Sequence, residues 1–267
     1  MDIKRLTSGL IGFPIVLIIL LFGNKYVVDV FMALVAVLAI SEYFNAIVKI
    51  AKPIKWLGYL SCVSVALIHL IPEQFLGITI ALSIPTVLLI LFAEVIATDM
   101  EINFKDIAYT FLGIFYVVFF IMFIAFIYGM PNGKVLVWYA IFAAWGTDIF
   151  AYLVGKYFGK HKFSKVSPKK SIEGCVGGTI GAVVVMLIYT YCINRFLDFN
   201  YSYYYVALIG FVLSLIGQIG DFAASSIKRY VDIKDYSNLI PGHGGMLDRI
   251  DSLIFIAPFA YALFTIL

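Results

Sequence analysis

Four aspartates stand where an aspartate is costly. Asp148 closes Trp145-Gly146-Thr147-Asp148, Asp221 closes Gly217-Gln218-Ile219-Gly220-Asp221, and Asp248 and Asp251 open the last apolar run. Ionisable side chains in or at the rim of membrane-compatible runs default to function. Asp248 and Asp251 are three positions apart and share a helix face, so carboxylates at the ends of three helices can converge on one cation. Beside them runs a dense polar stretch: Ser225-Ser226-Ile227-Lys228-Arg229, then Lys234-Asp235, then Pro241-Gly242-His243-Gly244-Gly245-Met246-Leu247-Asp248-Arg249. Glycines around His243 permit close backbone approach, and their N–H groups just before a helix start suit an anion. Hard oxygen ligands beside basic groups and a glycine turn describe a metal–phosphate site. Mg²⁺ takes one or two carboxylates plus phosphate oxygens and water, which suits this set better than zinc, since the chain has only 3 histidines. Of these, His69 is read as packed in an apolar run and His161 as solvated among lysines.

A second basic, glycine-rich element precedes that stretch: Gly155-Lys156-Tyr157-Phe158-Gly159-Lys160, then Ser167-Pro168-Lys169-Lys170-Ser171-Ile172-Glu173-Gly174, then Gly177-Gly178. Two readings compete. One is a basic loop followed by a capped helix. The other is a polyphosphate clamp, in which Lys169 and Lys170 neutralise phosphate, Ser171 bonds a phosphate oxygen, and Gly174, Gly177 and Gly178 let the backbone approach. It is not a P-loop, because no GxxxxGK[ST] occurs.

The elements that must hold these residues are hydrophobic helices. Of 267 residues, 63% are hydrophobic and 13% charged, with mean hydropathy +1.02. A soluble domain carries about a quarter charged residues, so water cannot be the only solvent here. The expectation is an all-α polytopic membrane protein. Apolar stretches lie at about 6–22, 26–47, 56–71, 75–97, 106–129, 134–156, 175–194, 203–227 and 249–267, giving about nine transmembrane helices at roughly 20 residues each. The first is read as an uncleaved span, because no small-x-small cleavage site follows it. With the N-terminus cytoplasmic, of 19 Lys and Arg only Lys25, Lys134 and Arg195 fall on the far side, as the positive-inside rule requires. The working unit is one helical domain, 1–267, with N-terminal helices in 1–130 and the catalytic helices and loops in 131–267. A net charge of +3 is too small to suggest nucleic acid. Cys62, Cys175 and Cys192 form no CxxC pair and are read as buried small hydrophobes. Glu42 and Glu94 sit in apolar surroundings without an assigned role, each able to pair with a helix terminus or a neighbouring chain.

At the polar stretch the chain resembles the phosphatidate cytidylyltransferases, or CDP-diacylglycerol synthases. Their C-terminal pattern reads S-x-apolar-K-R-x4-K-D-x-small-x2-apolar-P-x-H-G-G-apolar-x-D-R-apolar-D. Every fixed position is matched, from Ser225, Lys228 and Arg229 through Lys234, Asp235 and Ser237 to Pro241, His243, Gly244, Gly245, Asp248, Arg249 and Asp251. Asp148, Gly155, Ser167 to Lys170, Glu173-Gly174 and Gly220-Asp221 add to the likeness, which is strong over about 140–255. It implies that CTP and phosphatidic acid give CDP-diacylglycerol and pyrophosphate, with Mg²⁺ required. It also implies a multi-pass cell-membrane enzyme, homodimeric, with its site facing the cytoplasm.

On this reading Asp221 and Asp248 are metal ligands, with Asp148 or Asp251 serving any second cation. Lys228, Arg229 and Arg249 hold the lipid phosphate or the leaving pyrophosphate. Lys169, Lys170 and Ser171 hold the triphosphate, and Ser225, Lys234, Gly244 and Gly245 complete the substrate contacts. His243 either donates to a phosphate oxygen or only locks the turn. The acyl chains are expected to need no dedicated cavity, the headgroup sliding in from the bilayer. Rivals are an ether-lipid nucleotidyltransferase, a CTP-dependent lipid kinase, and a transporter or scramblase. The last is disfavoured because the charges cluster at helix ends rather than mid-span.

Overall fold

A computed structural model describes residues 3–163, 167 and 170–266, with the side chains of 3–11 left aside. Among the described residues the secondary structure is helical, with two isolated β-bridges, Lys162 to Ser171 and Ile240 to Gly244. The helices are α1 Ile3–Phe22, α2 Lys25–Ile47, α3 Lys55–Leu67 with a 3₁₀ turn Ile68–Leu70, α4 Glu73–Ala97, and α5 Phe104–Gly113. After α5 a π-helical turn, Ile114–Phe119, leads into α6 Phe120–Gly129, and then follow α7 Gly133–Phe158, α8 Ile172–Phe196, α9 Tyr203–Tyr230 and α10 Leu247–Phe264.

These helices coincide with the apolar stretches of the sequence, and 6 of the runs are long and apolar enough to cross a membrane among the described residues. They are α2, α4, the continuous run Phe104–Gly129, α7, α8 and α9. Two others fall short for visible reasons. The run Lys55–Leu70 is short, and α10 spends its first turn on Asp248, Arg249 and Asp251. Exposed Leu, Ile and Phe along α4, such as Leu82, Leu89 and Ile96, are the lipid-compatible surface that an apolar solvent leaves uncovered.

The chain divides into two compact units. The first comprises Met1–Ala125 and Val231–Arg249, so the glycine-rich loop packs with the N-terminal helices. The second comprises Phe126–Tyr230 and Ile250–Leu267.

In the first unit, helix starts are fixed by local chemistry. Asn24 caps α2 through Val27 N–H, and Asn103 with Asp106 forms a capping box at α5, each satisfying amides that have no partner in the helix. Asp106 also accepts from Lys52 N–H at 2.6 Å, and Thr110 Oγ1 from Ile54 N–H at 3.0 Å, which tie the α2–α3 connection to α5. At the other end of α2, buried Asp29 places both carboxylate oxygens 2.8 Å from His69 Nδ1. His69 is therefore partnered rather than merely packed.

In the second unit, small residues bring α7 and α8 into backbone proximity. A Cβ at Gly178 would lie 2.8 Å from Thr147 O, one at Gly174 2.8 Å from Ala151 O, and one at Gly181 2.1 Å from Phe150 Cγ. Small-residue faces of this kind are how helices associate where lipid is the solvent. A buried polar relay crosses the same helices. Thr147 Oγ1 donates to Ser214 Oγ at 2.7 Å, Ser214 Oγ to Thr179 Oγ1 at 3.3 Å, and Gln218 Nε2 to Thr179 Oγ1 at 2.9 Å. Cys62 is buried as expected, but Cys175 is half-buried and Cys192 exposed, which an apolar side chain facing lipid tolerates.

Candidate active site

In the second unit the site begins with Lys170. Two strands of the α7–α8 connection meet there: Phe163 N–H donates to Lys170 O at 3.1 Å, and Ile172 N–H to His161 O at 3.0 Å. Glu173, in the first turn of α8, gathers the other side of the hairpin. It accepts from Lys160 N–H at 3.1 Å and lies 2.6 Å from His161 Nδ1, so His161 is paired with a carboxylate and not simply solvated among lysines.

Held in this way, the Lys170 ammonium forms an ion pair with Asp221 and lies over the Phe222 ring, 4.3 Å from its centroid. Burial pulls the Lys170 ammonium below the usual lysine range, while the negative charges of Asp148 and Asp251 act in the opposite sense. Lys228 is the positive neighbour that adds to the lowering. Three of the four aspartates singled out in the sequence thus act on one ammonium. Asp148 is exposed, Asp221 half-buried and Asp251 buried, and Asp251 Oδ1 accepts from Ser252 N–H at 2.8 Å. Arg229, in the last turn of α9, is exposed, while Lys228 and Ser225 are half-buried.

Two parts of this unit carry structural duties that the sequence did not show. Ser171 is the buried N-cap of α8, its Oγ accepting from Gly174 N–H at 3.1 Å, so that oxygen serves the helix start and leaves its O–H to donate. Gly174 and Gly178 face the α7 backbone with no room for a Cβ, so their missing side chains serve helix packing. Lys165, Pro168 and Lys169 lie outside the described residues.

A cleft of about 960 Å³ opens between α8 and α9 beside Phe222. Its walls are mostly apolar, among them Phe163, Val176, Ile180, Val183, Phe211 and Leu215, with Thr179, Gln218 and Ser226 as polar exceptions. A cavity adjoining the charged cluster was not expected from the sequence.

In the first unit, the loop between α9 and α10 folds back on itself. Ile240 N–H donates to Gly244 O at 2.8 Å, and His243 N–H to Ile240 O at 2.9 Å. Closing this turn needs φ of +75° at Gly242 and +85° at Gly244, a left-handed backbone that only glycine adopts without penalty. His243 is half-buried, and Lys234 and Arg249 are exposed.

Asp248 Oδ2 accepts from Tyr236 N–H at 2.8 Å and Gly245 N–H at 3.0 Å. Asp248 therefore pins the loop as well as presenting charge. Gly245 gives its amide to Asp248, a structural duty that the sequence did not show. The amides just inside α10 do meet an anion, but it belongs to the protein. Glu42 accepts from Met246 N–H at 2.9 Å, Leu247 N–H at 2.8 Å and Ser237 Oγ at 2.6 Å. The sequence leaves Glu42 open between a helix terminus and a neighbouring chain, and the structure gives it a helix terminus about two hundred residues along the chain. The signal was there in principle: a lone buried carboxylate on one helix and an uncapped helix start on another.

Among the described residues no three His, Cys, Asp or Glu side chains stand ready as a metal cluster. The donor chemistry nonetheless suits Mg²⁺. The candidates are all carboxylates, a cationic group already rests on Asp221, and Mg²⁺ asks the protein for only one or two of them.

Comparison with known proteins fits this chemistry. A phosphatidate cytidylyltransferase of Staphylococcus haemolyticus is 33% identical over 263 residues, covering 97% of this chain and 96% of the relative. One of Staphylococcus aureus is 33% identical over 262 residues with the same coverage. One of Bacillus subtilis is 42% identical over 132 residues, about half of each chain. The cytidylyltransferase family matches residues 3–267, and with near-complete coverage on both sides the chain belongs to that family.

Proposed function

We propose that this protein transfers the cytidylyl group of CTP to phosphatidate, giving CDP-diacylglycerol and pyrophosphate for phospholipid synthesis. The observation that carries the reading is the near-full-length match to phosphatidate cytidylyltransferases, and the site chemistry accords with it. A lipid phosphate oxygen attacks the α-phosphorus of CTP, forming a new P–O bond. The bond from the α-phosphorus to the bridging oxygen breaks, and pyrophosphate leaves with that electron pair. The nucleophile is already an anion, so no general base is needed and catalysis is positioning and charge neutralisation.

The roles follow from residue chemistry. Lys170 brings positive charge to the triphosphate, and Lys228, Arg229 and Arg249 serve the lipid phosphate or the leaving pyrophosphate. Asp221 and Asp248 would hold Mg²⁺, with Asp148 or Asp251 for a second cation. When bound there, the ion would supply positive charge against the charge that develops on the leaving pyrophosphate. The apolar cleft between α8 and α9 gives an acyl chain a wall to lie against beside the Lys170–Asp221 pair. The protein is a multi-pass enzyme of the cell membrane, acts as a homodimer, and meets CTP on the cytoplasmic face.

The test uses detergent-purified protein, phosphatidate and CTP labelled on the α-phosphate, with and without Mg²⁺. Label entering the organic phase only with Mg²⁺, with release of unlabelled pyrophosphate, is the expected result. CDP release with phosphorylation of a lipid would establish a lipid kinase instead. No transfer to phosphatidate by intact, monodisperse protein would sink the assignment.

A further inference from the structure

The buried carboxylate at the start of α10 has no part in the chemistry above, yet it organises the segment that has. We propose that Glu42 is a positioning residue. By standing in for an anion at the α10 N-terminus, it sets the register of the glycine-rich loop and so aims Asp248 and Arg249. This deepens the cytidylyltransferase reading and rests on it.

The geometry is specific. Glu42 is 5% exposed and spends both oxygens: Oε1 on Met246 N–H and Ser237 Oγ, Oε2 on Leu247 N–H. The first amides of a helix have no partner within it and carry the positive end of its dipole, so a carboxylate is the natural complement. Gly245 is shaped around it, because a Cβ there would lie 2.5 Å from Glu42 Oε2. The same stretch is gripped from its other side by Asp248 through Tyr236 and Gly245 N–H. Two carboxylates thus buckle residues 236–248, one from α2 and one from α10 itself. Lys49 Nζ adds a long contact to Val231 O at 3.4 Å, where the loop leaves α9. With Glu42 in place, a substrate phosphate gains nothing from the Met246 and Leu247 amides, and its charge falls to Lys and Arg side chains.

The experiment compares wild type with Glu42→Gln, Glu42→Asp and Ser237→Ala, all detergent-purified. It reads kcat, KM for CTP and phosphatidate, and amide hydrogen exchange across 236–248. Glutamine keeps the size but turns an NH₂ toward one of the donors. Exchange at 245–248 is expected to quicken by about tenfold or more, since hydrogen bonds to a charged group are lost. The kcat is expected to fall by about 10- to 100-fold, the usual cost of disturbing a residue that orients a ligand, with KM for CTP nearly unchanged. Glu42→Asp, which restores the charge, recovers part of kcat and of the protection. Ser237→Ala removes a single donor and gives a smaller effect in the same direction.

Unchanged exchange in 236–248 with unchanged kcat in Glu42→Gln would overturn the proposal. So would equal losses in the Gln and Asp variants with exchange rising throughout the chain, which is loss of fold rather than of aim. Should Glu42→Gln fail to fold, wild-type exchange and kcat in Ser237→Ala overturn it alone. Exchange needs no substrate, so wild type inactive toward phosphatidate would sink the functional reading while leaving this one measurable.

Discussion

Asp248 does two jobs with one side chain. Its Oδ2 holds Tyr236 and Gly245 N–H, while the carboxylate as a whole is the proposed metal ligand, and the two jobs are separable by substitution. Asp248→Asn retains an oxygen that accepts both amides but loses the charge, so it should fold and be inactive. Asp248→Ala also strands two backbone donors, at about 1–3 kcal/mol for each unsatisfied group, and should be less stable as well. Thermal unfolding in detergent beside the cytidylyl-transfer assay checks this; equal stability of the two variants would show that the loop does not depend on Oδ2. Lys170 separates differently, because it is paired with Asp221. Lys170→Ala should raise KM for CTP by about tenfold or more, as loss of a charged contact does, and raise it more than KM for phosphatidate. An unchanged CTP dependence moves the triphosphate to other residues. These roles were partly legible in the sequence, since aspartates and lysines in apolar surroundings announce themselves. The capping role of Ser171 was not, because a hydroxyl before a helix suits a cap and a ligand equally well. Glu42 was not either, because hydrogen bonds spanning two hundred residues leave no local pattern.

At the scale of elements, the second unit depends on α7 and α8 meeting along glycines. With lipid as solvent there is no hydrophobic drive between helices, so close backbone approach and a few polar contacts must supply the association. The Thr147–Ser214–Thr179–Gln218 relay is that polar contribution, next in sequence to Asp148 on α7 and three residues before Asp221 on α9. Gly178→Val would drive a side chain into Thr147 O and the Ala151 methyl, at 2.8 and 3.0 Å from the first added carbon. Neither neighbour can swing aside, one being backbone and the other a methyl fixed to it. Destabilisation at the upper end of the usual 1–3 kcal/mol for overpacking follows, with activity falling in step with folded protein. The melting temperature in detergent checks it; an unshifted melt with activity lost would mean that Gly178 faces substrate, as the clamp reading of the sequence had it. Helix positions were readable because apolar runs of spanning length have few alternatives. The purpose of the glycines was not, because a bare backbone suits a phosphate and a neighbouring helix alike.

For the molecule as a whole, the question is which helix ends face the cytoplasm. Within the first unit, hydrogen bonds sort the ends without reference to charge. Glu42, near the end of α2, bonds the 237–247 segment, and the chain leaving α2 bonds the start of α5 through Lys52 and Ile54. The end of α2, the start of α5 and the 231–249 loop therefore share a face. Asp29 at the start of α2 meets His69 beyond α3, which defines the opposite face. Lys49, Lys52, Lys55, Lys105 and Lys234 fall on the first face and Lys25 on the second, the same partition that the basic residues gave from the sequence. The positive-inside rule predicts that the first face is the cytoplasmic one, and that orientation is open to test. In a background with Cys62, Cys175 and Cys192 replaced, Asn238→Cys in the α9–α10 loop should react with a membrane-impermeant maleimide only after cells are opened. Asn200→Cys, in the α8–α9 turn, should react in intact cells. Both positions are exposed, so access to reagent and not burial sets the result. The reverse labelling would put the glycine-rich loop outside, away from cytoplasmic CTP, and overturn the orientation. Labelling of both from one side would mean that α9 does not cross the bilayer.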